Sequence, residues 1–371
     1  MRKFSFPIIV FSVLLSVVFF AVPTRADTDQ SLLGISAVYN DVFFGDYYGR
    51  NGDIEGHAAI KGNVDVQSYA FGSGEQNLHP NSQGPTLVVG GNVTSSSSGV
   101  YDGDAYIAGT LTPQPGQNKW NMLSAMGTGP YNTVDPGYQG TPGWIYVAGT
   151  PDVDLDYQYQ KHTTDSIPFD FALAEAQLRQ VSDSLFGLQD TVYAGIVNGN
   201  YTVDLTGLTG LQVVTIDTSV FNELGRTNNI YINAGADTTL IINISDPANL
   251  GVLNLQKEFI INGIDSPSYG DFDGSNILIN TDVALVDVQQ AAINASLLAL
   301  DALIMVQHGN IDGQTFGASA WTMNGGEFHA YYTFDDKHFR GNDVPEPATC
   351  LIVACGLVGF GYARRRFSAK K

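Results

Sequence analysis

Cysteine is nearly absent. The 371 residues hold two, Cys350 and Cys355, both close to the C-terminal end. The rest of the chain therefore folds without disulfides, and some 300 residues bury enough apolar surface to do so. Cations are scarce as well. The chain carries 17 Lys and Arg against 37 Asp and Glu, a formal net charge of -20. Residues 27–343 keep 9 of those cations and 36 of those acids, a net of -27. Nine scattered cations cannot form a phosphate-binding surface in that field, so nucleic acid is a poor partner and none is expected. Anionic polysaccharide is a poor substrate for the same reason. Divalent cations, neutral sugars and proteins remain. Catalytic signatures are missing too: there is no H-E-x-x-H, no G-x-S-x-G, no Walker loop and no cysteine pair for zinc.

The two ends differ from the middle. Arg2 and Lys3 precede an apolar run from Ile8 to Val22, and Thr24-Arg25-Ala26 offers small residues to a signal peptidase. Residues 1–26 are expected to be a secretory signal, the alternative being an uncleaved N-terminal anchor. At the other end, "VPEPATCLIVACGLVGFGYARRR" spans 344–366. Its uncharged stretch, Ala348 to Ala363, would rise only about 24 Å as a helix, short of the ~30 Å hydrocarbon layer. Pro345 and Pro347 keep the preceding backbone extended, and Arg364, Arg365 and Arg366 favour the cytoplasmic side. This order, with Glu346 between the prolines, resembles the PEP-CTERM sorting domain. The resemblance implies an exosortase-type processing enzyme of Gram-negative bacteria, delivery to the cell surface or extracellular matrix, and a C-terminal membrane segment that is transient or retained. A plain single-span tail anchor is the alternative. Residues 344–371 are expected to form this sorting segment.

Between the ends, strand-like segments dominate: 86–89, 144–147, 212–216, 229–233, 239–244 and 276–279 are rich in Val, Ile, Tyr and Thr. A short phrase recurs as "AIKGNVDV" (59–66), "VVGGNVTS" (88–95), "YIAGTLTP" (106–113) and "YVAGTPDV" (146–153). Gly91 and Gly109 are 18 positions apart, about one rung of a β-solenoid, whereas Gly62 and Gly91 are 29 apart. The pattern predicts a solenoid with insertions, with Gly and Asn at corners where left-handed backbone angles suit them. One helix is expected in "SIPFDFALAEAQLRQVSDSLFG": Phe171, Ala174, Leu178, Val181 and Leu185 form one stripe, with Ser166 as cap, Pro168 in the first turn and Gly187 as the stop. By propensity alone, "VQQAAINASLLALDAL" at 288–303 also reads as helix.

"YNDVFFGDYYGRNGDIEGHAAIKGNVDVQSYAFG" (39–72), "LVVGGNVT" (87–94), "GNIDGQTFGAS" (309–319) and "GGEFHAYYTF" (325–334) resemble, in order, blocks of the choice-of-anchor A domain. That family combines one body with alternative anchoring tails, the PEP-CTERM type among them. Its members are of adhesin type, and some Gram-positive relatives are described as collagen-binding. The resemblance implies that 27–343 is mainly β: a right-handed β-solenoid with one long amphipathic helix alongside, similar to ice-binding solenoids. It also turns 294–307 from helix into strand–turn–strand. Asn40-Asp41 and His57 depart from the family pattern.

Candidate site residues are few. Asp152, Asp154 and Asp156 alternate in "PDVDLDY" and would share one strand face about 7 Å apart. Calcium is the cation that would suit such oxygen ligands; otherwise they form a solvated acidic edge. "DFDGSN" (271–276) has its Gly too early for an EF-hand and reads as a turn, as does Asp102-Gly103-Asp104. Glu327 with His329, and Glu55 with His57, have acid–base spacing, though packing or turn bonding is the plainer reading. No catalytic residue and no cofactor is assigned. The expected function is non-catalytic binding, by an exported adhesin-type protein, of an extracellular polysaccharide or protein. The alternatives are a polysaccharide-acting β-helix enzyme and, less favoured for want of a Thr-x-Thr ladder, an ice-binding protein.

Overall fold

The computed structural model describes residues 31–73, 84–100, 103–113, 142–148, 161–162, 166–223, 229–233, 237–256, 259–261, 276–331 and 333–339. The segments expected to be the signal (1–26) and the sorting tail (344–371) lie outside the described residues, as do Asp152, Asp154, Asp156 and 271–275.

Leu32–Phe339 is one compact unit. Its strands are short, and parallel ladders stack each on another. Leu87 lies on Ala105, Leu278 on Ser296, Val286 on Ile304 and Leu297 on Thr315, each pair 18 positions apart. Alternate side chains point inward, where Ile242, Ile279, Leu297, Leu87 and Ile145 belong to one continuous core. The expected mainly β solenoid is what forms. The recurring phrases stack directly: Ala59 pairs with Val88, Val88 with Tyr106 and Tyr106 with Tyr146.

Ladder order does not follow chain order. On the first face the sequence of strands is Gly210–Asp217, Thr238–Ser245, Ile277–Thr281, the start of Ser296–Gln307, the start of Thr315–Met323, and then Asp41–Phe43, Ala58–Ile60, Leu87–Val89, Gly103–Ile107, Pro142–Val147 and Lys161–His162. The first strand of the chain thus sits in the middle of the stack, on one of the last. The chain builds away from that point up to His162, then resumes at the far end and builds back to it.

The helix Phe171–Phe186 makes the return. Its 16 residues span about 24 Å. Five ladder steps separate Ala58–Ile60 from Thr238–Ser245, and at about 4.8 Å each they cover the same distance. Its ends are tied where this match predicts. Glu175 pairs with Lys61 at 3.0 Å, and the Leu185 carbonyl accepts from Asn243 Nδ2 at 2.7 Å. The predicted stripe is the buried one: Phe171, Ala174, Leu178, Val181 and Leu185. The cap differs from expectation. Asp170, not Ser166, accepts from the Leu173 N–H at 3.0 Å, because Phe169 packs edge-on against Tyr39 and Phe171 and so stays outside the helix.

The 288–303 segment is not helical. Ser296–Gln307 is one strand, with a register shift between Ala299 and Leu303 in place of a separate turn. Ser296 to Leu300 are buried on both sides, inward against the core and outward beneath the helix layer. A strand buried on both faces loses its alternation and reads like a helix.

Corner glycines serve a different purpose from the one expected. A Cβ on Gly91 would lie 2.5 Å from the Gly62 carbonyl, and one on Gly109 would lie 2.6 Å from that of Gly91. These positions bring consecutive backbones together. Left-handed angles instead mark a different corner, in a column of Gln290, His308, Asn324, Asn51, Ser68 and Ser97. Asp104, expected in a turn, lies in the strand that Gly103 opens. A separate four-stranded sheet comprises Ala194–Val197, Asn200–Asp204, Ile230–Asn233 and Phe259–Ile261.

Candidate functional site

Two faces carry chemistry. The second face is formed by Val252–Leu255, Leu285–Gln289, the later halves of Ser296–Gln307 and Thr315–Met323, and then Tyr47–Ile54, Val64–Phe71, Val93–Ser96 and Leu111–Pro113. Its alternation is regular, with Ile304, Val306, Tyr47, Val64 and Val66 inward. One outward column runs Asp287, Met305, Trp321, Tyr48, Asp65 and Thr94. Trp321 is 37% exposed and meets the Tyr48 ring edge-on at 5.5 Å. The Arg50 guanidinium lies 3.8 Å above the Tyr48 ring and bonds the Asp65 carboxylate at 2.9 Å. These contacts hold both side chains in place before any ligand arrives. Between them opens a shallow hollow of about 310 Å3, lined also by Asp46, Asn63, Leu303 and Ser319.

Asp46 stands at a corner ladder. Its Oδ1 accepts from the Asn63 backbone N–H at 2.7 Å; Asn63 Oδ1 accepts from Asn92 N–H at 3.0 Å; Asn92 Oδ1 accepts from Thr110 N–H at 2.8 Å. This explains the Gly-Asn of the recurring phrases: glycine permits the close approach, and the next side chain caps the following rung.

The second place lies on the outer side of a third face, formed by Ala292–Ile293, Asn310–Ile311, Glu327–Phe328 and the ends of Tyr47–Ile54 and Val64–Phe71, at the joint between the first and last rungs. His329 is 13% exposed. Its Nδ1 lies 2.8 Å from Asp312, itself 1% exposed, and its Nε2 lies 3.2 Å from Glu327. Glu55 Oε2 accepts from the Ala330 N–H, and Asp53 Oδ2 accepts from Ser73 Oγ at 2.8 Å. Burial alone would lower the His329 pKa, but its bonds to Asp312 and Glu327 and the nearby carboxylates raise it to about 10. Burial, reinforced by Glu327, raises Asp53 to about 6, and burial also raises Glu55. The predicted Glu327–His329 pairing is made. Glu55 joins the same cluster, whereas the His57 ring lies against Tyr39. Asn40-Asp41, noted as a departure, is buried at this joint, where Asn40 Nδ2 donates to Asp41 and to the His329 carbonyl. The imidazolium and its carboxylates satisfy one another, so the arrangement suits a structural lock.

Among the described residues no group of His, Asp and Glu is arranged to hold a metal ion. Arg50, Lys61, Arg179 and Lys337 are each paired with a carboxylate, so these four cations form no open basic patch. No helix among the described residues is long and apolar enough to cross a membrane. Sequence reasoning missed Tyr48 and Trp321. The available signal was one outward aromatic in each of two strand-like segments, a signal shared with any core strand.

No curated protein matches the sequence. The similar solved structures include the following three. An ice binding protein from an Antarctic Biological Consortium has 10% identity and a TM-score of 0.29, covering 81% of this chain and 94% of that one. The DUF3494 domain of Shewanella frigidimarina ice-binding protein_1 has 12% identity and a TM-score of 0.30, covering 80% and 94%. An ice binding protein from an Antarctic bacterium of the Flavobacteriaceae has 12% identity and a TM-score of 0.28, covering 79% and 80%. The family model described as "Putative Ice-binding-like adhesive domain" matches residues 32–330. That span contains both the open second face and the His329 joint, and the chain belongs to this ice-binding-like adhesive family.

Proposed function

We propose that this is an exported adhesive protein that binds extracellular polysaccharide or protein through its second face without transforming it. One observation carries the reading. On the first face the helix lies over Thr238–Ser245, Ile277–Thr281 and Ser296–Gln307, whereas the second face presents Trp321, Tyr48 and Met305 to solvent on a regular ladder. A long regular face suits many weak contacts whose sum is strong. Membership of the adhesive family supports the same reading. At the finer level, the body is of choice-of-anchor A type. Residues 1–26 direct export, and 344–371, through Pro345-Glu346-Pro347 and Arg364 to Arg366, act as a PEP-CTERM signal for an exosortase. Surface or matrix attachment follows. The test is deletion of the gene with complementation: the deletion strain should attach and flocculate less than its parent, and equal attachment would remove the main support.

Ice binding is the second reading, favoured by the family's description and by the names of the similar proteins. Against it, the outward column mixes Asp287, Met305, Trp321 and Asp65, whereas an ice-matching surface calls for a repeated small polar side chain. Thermal hysteresis of the purified protein decides between them. Cleavage of glycans is the third reading and draws on the carboxylates around His329. Release of reducing ends from a polysaccharide panel would favour it.

A further inference from the structure

We infer that the hollow beside Trp321 is a subsite for a neutral pyranose of a polysaccharide chain. The inference rests on the adhesive reading and gives it a ligand class. The floor is apolar, with Leu303 and the Trp321 indole, and the rim is polar, with Asp46, Asn63 and Asp65. A pyranose has this division: an apolar C–H face that packs on an aromatic ring, and an edge of vicinal hydroxyls that donate to carboxylates and bond to amides. The lining side chains come from neighbouring rungs about 4.8 Å apart, close to the width of one sugar ring. They are preorganised, since Arg50 stacks on Tyr48 while bonding Asp65, and Asp46 is held by the Asn63 N–H.

Charge selects among sugars. None of the residues lining the hollow is a cation, and Arg50, which stacks on Tyr48, is engaged with Asp65. Asp46 and the surrounding net charge of -27 over residues 27–343 repel a uronate or sulfated glycan. A neutral hexose polymer is the ligand that the rim can hydrogen-bond without an uncompensated charge. One shallow subsite binds weakly, so affinity comes from many copies of the protein on one polymer.

The test uses the full chain, purified in mild detergent and tethered to beads. The probes are labelled dextran and mannan, with alginate and polylysine as charged controls. Retention of a neutral polymer, competed by methyl α-mannoside or methyl β-glucoside, is expected. Trp321→Ala should lower retention about tenfold, the value of roughly 1.4 kcal/mol of lost stacking, and Trp321→Phe should keep most of it. Leu303→Arg, which fills the floor of the hollow by bulk, should abolish retention without removing an aromatic. It keeps the test decisive if Trp321→Ala melts early. Beads that ignore both neutral polymers yet still stick to parent cells overturn the inference and leave the adhesive reading standing. Beads that do neither overturn both. Trp321-dependent capture of polylysine in place of dextran or mannan overturns the neutral-sugar assignment.

Discussion

Raising the pH should weaken the joint between the first and last rungs, and His329 sets the size of the effect. In the folded chain its imidazolium donates to Asp312 and Glu327, and its pKa stands at about 10. In the unfolded chain it returns to about 6.5. The folded state therefore binds this proton more tightly. The stabilisation is complete below the unfolded pKa and is lost as pH rises through the folded one. Each pKa unit is worth about 1.4 kcal/mol, so the full shift corresponds to roughly 5 kcal/mol. Glu327 is 38% exposed, and solvent screening reduces its share. Asp312 is buried, and breaking a buried pair costs about 3–5 kcal/mol. A loss of about 3–5 kcal/mol between pH 6 and 10.5 is the expected result. Asp53, raised to about 6, and Glu55, also raised, act in the same direction at lower pH, since stability falls as each ionises in its buried site. Urea unfolding at several pH values measures this. Lys and Tyr side chains of an unfolded chain ionise in the same alkaline range, so the informative quantity is the difference from His329→Gln. That variant should be less stable at pH 6 by about 3–5 kcal/mol, and its curve should be flatter from pH 7 to 10. Parallel curves for the two proteins, or an NMR titration placing His329 near 6.5, would refute the reasoning.

Three further outcomes are expected. Asn280→Ala removes the amide that bonds Ser182 and Asn243 beneath the helix, and should cost about 1–3 kcal/mol by denaturant titration; an unchanged midpoint would show the helix end to be held by its apolar stripe alone. Gly91→Ala drives a methyl to 2.5 Å from the Gly62 carbonyl and should cost about 1–3 kcal/mol, with a neutral result excluding the close-approach account of that corner. If Asp152, Asp154 and Asp156 form a calcium site, calcium should raise the melting temperature, chelation should reverse the rise, and Asp154→Asn should abolish it; an equal rise in the variant rules the site out.

Much of the architecture was legible in the residues. The stripe Phe171, Ala174, Leu178, Val181 and Leu185 marked the helix because a helix on a surface buries every third or fourth residue. The recurring Gly-Asn phrases marked stacked rungs because each rung repeats the same corner. Local pattern left open which strand would lie on which. Every strand edge offers the same donors and acceptors, so the sequence alone could not place Asp41 beside Thr315, nearly the whole body away along the chain. Tertiary structure decided that order, through a helix whose length matches five rungs and through the fit of Phe43 and Tyr47 against Phe328 at the joint. It also made a strand of Ser296–Gln307, because burial on both faces outweighs helical propensity. Finally, it gathered Asp53, Glu55, Asp312, Glu327 and His329 from distant segments, since charges that look solvated one by one become a lock only when neighbouring rungs exclude water around them.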